Sequence, residues 1–285
     1  MLKKLAYGNI IIALAAACQA WLTMGTPLHL SPYQWFLVVL VMVATWLAYS
    51  LHRFLAARNN SDGSDEAQRI NWWRAPPRVF FLAYILLSVA CLAAFRYLPS
   101  HVYPMLIACT VMVVLYRSPA RWFRGIRYWP FLKLPLIATV WVMVTVLLPY
   151  EAFSTNMTCT DVWYVFVERW LFVAAITLPF DMRDAGEDAR QGLVTWAIRL
   201  GHKRSLMVSF ALLLGHAALV VTHGVQTGFY HPYQSLTFIG TAVVAAIWVA
   251  RGVQQTGELF YLVAIDGLLI IQAVWVAMVQ WLFAG

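Results

Sequence analysis

The sequence predicts an all-α polytopic membrane protein, on three observations. Apolar runs of about 20 residues recur along the whole chain, long enough as helix to cross a hydrocarbon core of about 30 Å. Only 11% of the 285 residues are charged and 62% are hydrophobic, whereas a soluble domain carries about 25% charged residues. Lys and Arg collect in alternate loops, the pattern that membrane insertion leaves on short cytoplasmic connections.

Nine spans are predicted. The first, near 5–24, follows Lys3-Lys4 and has two readings. "LAAAC", ending at Cys18, resembles a lipoprotein cleavage site. The apolar run continues through Trp21-Leu22, which favours a transmembrane helix over a signal peptide. The second, near 33–51, stops at His52-Arg53, and the third and fourth lie near 79–98 and 101–116. The fifth opens at Lys133 and runs to 150; the sixth, 162–180, ends in a group of acids. The last three lie near 205–224, 232–250 and 259–282. Trp and Tyr near many of the ends match interfacial belts.

Loops 52–78, 117–132, 181–204 and 251–258, with the N-terminus and Lys133, hold all but two of the 20 Lys and Arg; Arg96 and Arg169 are the exceptions. The positive-inside rule then puts the N-terminus in the cytoplasm and the C-terminus outside, in a multi-pass protein expected in a bacterial inner membrane. The two longest cytoplasmic loops, 52–78 and 181–204, follow spans two and six. That offset predicts two four-helix halves plus a ninth helix, with both loops facing one cavity. Residues 1–285 read as a single integral membrane domain with its site in those loops. The formal charge of +8 follows the insertion pattern and is not taken as a nucleic-acid surface. The four cysteines show no metal spacing, and Cys18, Cys91 and Cys109 read as small apolar residues of the spans.

Residues 181–188 hold Asp181, Asp184, Glu187 and Asp188, four of the 12 acids of the chain. On a helix extending span six, Asp181, Asp184 and Asp188 share one face, with Arg183 and Arg190 expected on the other. Like charges so placed repel and call for a cation. Hard oxygen donors suit Mg²⁺, which takes one or two carboxylates plus substrate phosphates. The plainer alternative is a solvated loop whose acids pair with nearby arginines.

"RDAGEDARQGLVTWAIRLG" resembles the second aspartate motif of UbiA-type intramembrane prenyltransferases, through Arg183-Asp184, Asp188, Gly192, Thr195 and Leu200-Gly201. "YWPFLK", with Lys133 opening span five, is a second local likeness. The resemblance implies two aspartate motifs holding Mg²⁺ on the diphosphate of an allylic prenyl donor, and a lipophilic acceptor capturing the carbocation. It implies Asp184 and Asp188 as metal ligands with Asp181 in support and a basic residue such as Lys133 on the diphosphate, where Arg53, although it departs from the family, is expected to join it. Tyr49, His52 and Arg127 would complete the substrate-binding set.

The first motif departs from the family. Where that family carries acids, the end of span two reads Tyr49-Ser50-Leu51-His52-Arg53, with Ser50 and Arg53 in their places. Three readings follow. Arg53, with a protonated His52, replaces one metal ion, since guanidinium binds phosphate bidentately. Or Arg53 pairs with the surviving acids, and the protein is an inactive UbiA fold binding an isoprenoid lipid or a partner. Or Asp62, Asp65 and Glu66 fold back to supply ligands. A transporter is the weakest rival, for no row of central polar residues traces a path. Asp266, within span nine, is a functional candidate or a helix–helix tie. Glu168 and Arg169 are expected to be structural or to snorkel, and His216 and His223 to be packing or interfacial residues rather than ligands. Asn156-Met157-Thr158 matches a glycosylation sequon.

Overall fold

The computed structural model describes residues 1–25, 30–59, 72–73, 78–117, 125–153, 157–252 and 257–283. The described residues form helices and no strand. In chain order these are α1 (Leu2–Tyr7), α2 (Ile10–Thr23), α3 (Pro32–Asn59), α4 (Arg78–Ala94) and α5 (Tyr103–Tyr116). Helix α6 (Lys133–Val142) runs through a π-turn, Met143–Leu147, into α7 (Leu148–Ala152). Then come α8 (Cys159–Arg190), α9 (Trp196–Thr227) and α10 (Pro232–Gly252). Helix α11 (Glu258–Phe260) passes through a second π-turn, Tyr261–Ile265, into α12 (Asp266–Phe283). Among the described residues, seven helical units are long and apolar enough to cross a membrane, and this is an integral membrane protein. The helices at two of the nine predicted spans, α2 and α5, are apolar but shorter.

Helix α8 lies along α9 in the most extensive pairing and also meets α6. Helix α2 packs against α3, α12 and the first π-turn, and α10 joins α9 to α12. Small residues let these backbones approach: Ala15, Ala20, Ala138, Ala174, Ala175 and Ala245 are fully buried beside Phe172, Leu178, Ile265 and Leu268.

In hydrocarbon a backbone group freed from its helix must find another partner, and neighbouring side chains supply one at several breaks among the described residues. Asn9, at φ 59°, separates α1 from α2. Around that break Trp46 Nε1 donates to the Gly8 carbonyl at 2.8 Å, and Trp73 Nε1 to the Tyr7 carbonyl at 3.0 Å. Pro179, inside α8, has no N–H to give the carbonyl four residues before it. That carbonyl, of Ala175, accepts from Ser209 Oγ of α9 at 2.6 Å. Pro149 likewise leaves the Thr145 carbonyl, which accepts from Thr23 Oγ1 at the end of α2 at 2.8 Å. Tyr261 OH donates to the Gly252 carbonyl at 2.6 Å, closing the end of α10.

A buried polar network ties four helices together away from the aspartates. Glu168 is 0% exposed; its Oε1 accepts from Tyr230 OH and lies 3.6 Å from Arg169 Nε. Arg169 donates to the side-chain carbonyls of Gln19 and Gln272, and Gln272 donates to Thr241 at 3.3 Å. The guanidinium also sits 4.8 Å over the Phe238 ring. Glu168 and Arg169 therefore do not snorkel. They face the helix junction, where partners from α2, α10 and α12 make burial tolerable. His216 is buried with Nδ1 2.8 Å from the Glu168 carbonyl, and His223 Nε2 lies 2.9 Å from Asp161. These histidines are packing residues with polar partners. Asp161 itself completes a capping box with Thr158 at the start of α8.

Candidate functional site

The motif residues at the end of α8 first do backbone work. The Leu193 N–H bonds the Asp188 carbonyl at 2.9 Å and the Gly192 N–H bonds that of Ala189 at 3.0 Å, which is a Schellman stop. It needs a left-handed residue, and Gly192 sits at φ 78°. Thr195 then caps α9, its hydroxyl accepting from the Ile198 N–H at 3.3 Å. Gly201, at φ 72° and ψ 170°, kinks the first turns of α9.

This turn also anchors the segment before α6. Phe131 N–H donates to the Val194 carbonyl at 2.9 Å, and Trp196 Nε1 to the Phe131 carbonyl at 3.0 Å. The clasp brings Arg127 and Lys133 against the aspartates. Lys133 Nζ bridges Asp181 Oδ1 at 2.8 Å and Asp188 Oδ2 at 2.7 Å. Arg127 reaches the other oxygen of Asp188 at 3.2 Å and lies over the Tyr116 and Tyr128 rings.

Arg183 is not on the opposite face of the helix, as its position in the sequence suggests. It turns back to hold Asp184 through Nε at 2.6 Å and Nη2 at 3.1 Å, with its guanidinium 4.7 Å above the Tyr261 ring. A long side chain over an aromatic shelf overrides the 100° step between neighbours. Arg190 does point outward, pairing with Glu187 at 2.8 Å.

These groups line one end of a cavity of about 600 Å³. Tyr49, His52 and Arg53 of α3 lie in the same lining as Asp181, Asp184, Asp188, Arg127 and Lys133. Ser50 does not; it is buried on the next face of α3, accepting from Asn9 Nδ2 at 3.4 Å. Tyr49 OH accepts from Trp141 Nε1 at 3.0 Å, and the His52 ring meets the Tyr116 ring edge-on at 5.1 Å. Asp62, Asp65 and Glu66 lie outside the described residues, as do Arg121, Arg124 and Asn156. Beyond its polar end the cavity is walled by Val41, Leu106, Val113, Ile137, Val140 and Ile176.

The lining also contains Arg117, Asn9 and Asp266. Burial, and then the positive charges of Arg127 and Arg53, pull Arg117 from its usual value down to about 10, so it remains charged at neutral pH. Three guanidinium groups close enough to repel make a seat for an anion. In the sequence Arg117 belongs to a basic arm with Arg121, Arg124, Arg127 and Lys133, which reads as an insertion signal with lipid contact or as a diphosphate clamp whose best candidate is Lys133. Asn9 carried no signal at all, since its place in the wall depends on how α1 meets α3.

For a divalent ion the fit is partial. Asp181 Oδ2 is buried without a hydrogen-bond partner, so one hard oxygen stands open. Both oxygens of Asp184 and both of Asp188 already carry a guanidinium or ammonium. Among the described residues no three His, Cys, Asp or Glu side chains come together as a ready metal site. The set suits an ion that brings its remaining ligands with it, as Mg²⁺ does with waters and phosphates.

No protein-family model matches the sequence, and no curated protein matches it. Its fold does match solved structures. A UbiA homologue from Archaeoglobus fulgidus bound to GPP and Mg²⁺ superposes with a TM-score of 0.64 at 13% identity, over 98% of each chain. The Archaeoglobus fulgidus homologue bound to Cd²⁺ gives 0.61 at 14% identity, again over 98% of both. A digeranylgeranylglyceryl phosphate synthase gives 0.56 at 11% identity, over 98% of this chain and 100% of the other. At such identities the likeness is one of fold, and this chain has the fold of UbiA-type prenyltransferase homologues.

Proposed function

We propose that the chain is a divergent prenyltransferase of UbiA type, which moves a prenyl group from an allylic diphosphate to a lipophilic acceptor. The observation that carries this reading is the cavity itself: charged at one end, apolar along the rest, and set among helices that cross the bilayer. In this reading the diphosphate lies at the charged end against Arg53, Arg127 and Lys133, with Tyr49 and His52 beside it. The prenyl tail lies along the apolar wall. The C1–O bond breaks and its electron pair leaves with the diphosphate. C1 then bonds the acceptor nucleophile, whose proton passes to the released anion. Fixed cations aimed at the developing negative charge lower this barrier without reorganising. Asp184 and Asp188, with Asp181 in support, would hold Mg²⁺, which supplies further charge at the leaving group. The UbiA homologue bound to GPP and Mg²⁺ supports both the donor class and the ion.

The same proposal takes residues 1–285 as one membrane domain with nine crossings, α2 and α5 included. It has two four-helix halves plus a ninth helix, and loops 52–78 and 181–204 over the cavity. The N-terminus is cytoplasmic, the C-terminus is outside, and the bilayer is a bacterial inner membrane.

The protein in liposomes made with bacterial lipid extract, given radiolabelled geranyl diphosphate and Mg²⁺, should release pyrophosphate and label a lipid. Asp184→Asn should lower the rate about 100-fold, the usual scale for losing one charge-stabilising group. An unchanged rate would remove Asp184 from the mechanism. A second reading, an inactive fold that binds an isoprenoid lipid or a partner, is favoured by the salt bridges already neutralising Asp184 and Asp188. It predicts binding without pyrophosphate release.

A further inference from the structure

We infer that this site takes hold of its diphosphate ligand with fixed side-chain cations, so that binding does not require a divalent metal. The inference rests on the proposed prenyl-diphosphate site and concerns the step before any chemistry.

Two features carry it. The first is the state of the carboxylates. Lys133 stands between Asp181 and Asp188, within 2.8 Å of an oxygen of each, where a bridging cation is needed. Asp184 is held by Arg183 through both oxygens. Glu187 is engaged by Arg190 at 2.8 Å and by Gln191 at 2.7 Å. Among these carboxylates only Asp181 Oδ2 stands open to a metal; to gain a second carboxylate an arriving metal would have to displace these partners, whereas an arriving anion would not.

The second is the state of the donors. Arg127 Nε is a donor buried in the cavity lining with no hydrogen-bond partner among the described residues; His52 Nδ1 is buried there too without one, and donates in the tautomer that carries its proton on that nitrogen. A buried unmet donor costs about 1–3 kcal/mol, so each such group calls for an explanation. Arg53 and Arg117 line the same end. Oxygen-rich, doubly charged groups are what guanidinium forks bind best, and a diphosphate offers enough oxygens for several at once. The donors left over and the ligand's acceptors therefore match without a metal between them.

Equilibrium binding to the purified full chain in detergent tests this, with geranyl diphosphate and inorganic pyrophosphate as probes, in EDTA and in millimolar Mg²⁺. Geranyl diphosphate is expected to bind in EDTA with less than a tenfold loss of affinity. Pyrophosphate should compete under the same conditions, which assigns the grip to the headgroup. Arg117→Gln should weaken binding in EDTA by about tenfold or more, the worth of one charged hydrogen bond. Arg117→Lys, which keeps the charge and guards against a folding defect, should recover part of it. Binding that needs Mg²⁺, or drops tenfold or more in EDTA, overturns the inference and leaves the proposed function standing. So does an Arg117→Gln variant that folds and binds normally. Failure to bind under either condition overturns the proposed function, and this inference with it.

Discussion

Lys133 satisfies Asp181 and Asp188 at once from a nearly buried position. Replacing it with Met leaves two carboxylates facing each other in a half-dry cleft. Breaking one side of a buried pair costs about 3–5 kcal/mol, so Lys133→Met should lower the unfolding temperature in detergent and abolish geranyl diphosphate binding. Retention of both would mean that Arg127 alone neutralises the pair. The sequence placed Lys133 at the mouth of span five, and Asp181, Asp184 and Asp188 on one face, because helical spacing is regular. Arg183 was not legible in the same way. Its Cα faces elsewhere, but its side chain is long enough to return to Asp184 over the Tyr261 ring, and spacing rules do not see that reach. Ser50 misled for the opposite reason. Aligned in sequence with a carboxylate position, it is turned by one helical step away from the cavity and against Asn9.

At the scale of the element, each interior proline has a hydroxyl across the helix interface. Ser209 serves the carbonyl that Pro179 leaves, and Thr23 the one that Pro149 leaves. Interhelical hydrogen bonds of this kind contribute about 0.6 kcal/mol on average and up to about 1.7. Ser209→Ala should destabilise within that range in a reversible detergent titration. In a Pro179→Ala background the loss should shrink, because the restored N–H gives Ala175 its own partner. Equal losses in both backgrounds would show that the hydroxyl does not serve the proline. Hydropathy located these helices well, since runs of about 20 apolar residues are the strongest signal a membrane sequence carries. It gave no sign of the π-turns at Met143–Leu147 and Tyr261–Ile265, because the extra residue in each turn follows from side chains meeting in space.

Over the whole molecule, the Glu168–Arg169 network joins α2, α8, α10 and α12, with Tyr230 from the segment between α9 and α10. Arg169→Met should destabilise by about 3 kcal/mol or more, leaving a buried carboxylate without its cation. Glu168→Gln combined with Arg169→Met should recover part of the loss, and additive losses would mean the two residues act separately. The sequence could not foretell this network. Both residues lie near the N-terminal end of predicted span six, where an isolated helix would let them reach water. Only the assembled bundle encloses them. The prolines, the tryptophans over the Asn9 break and the hydroxyl under each bend share one consequence. At these three places the chamber wall is pinned by a neighbouring helix, which braces the frame there. A ligand entering such a chamber must conform to it, so in the proposed reading the adjustment falls to the prenyl tail.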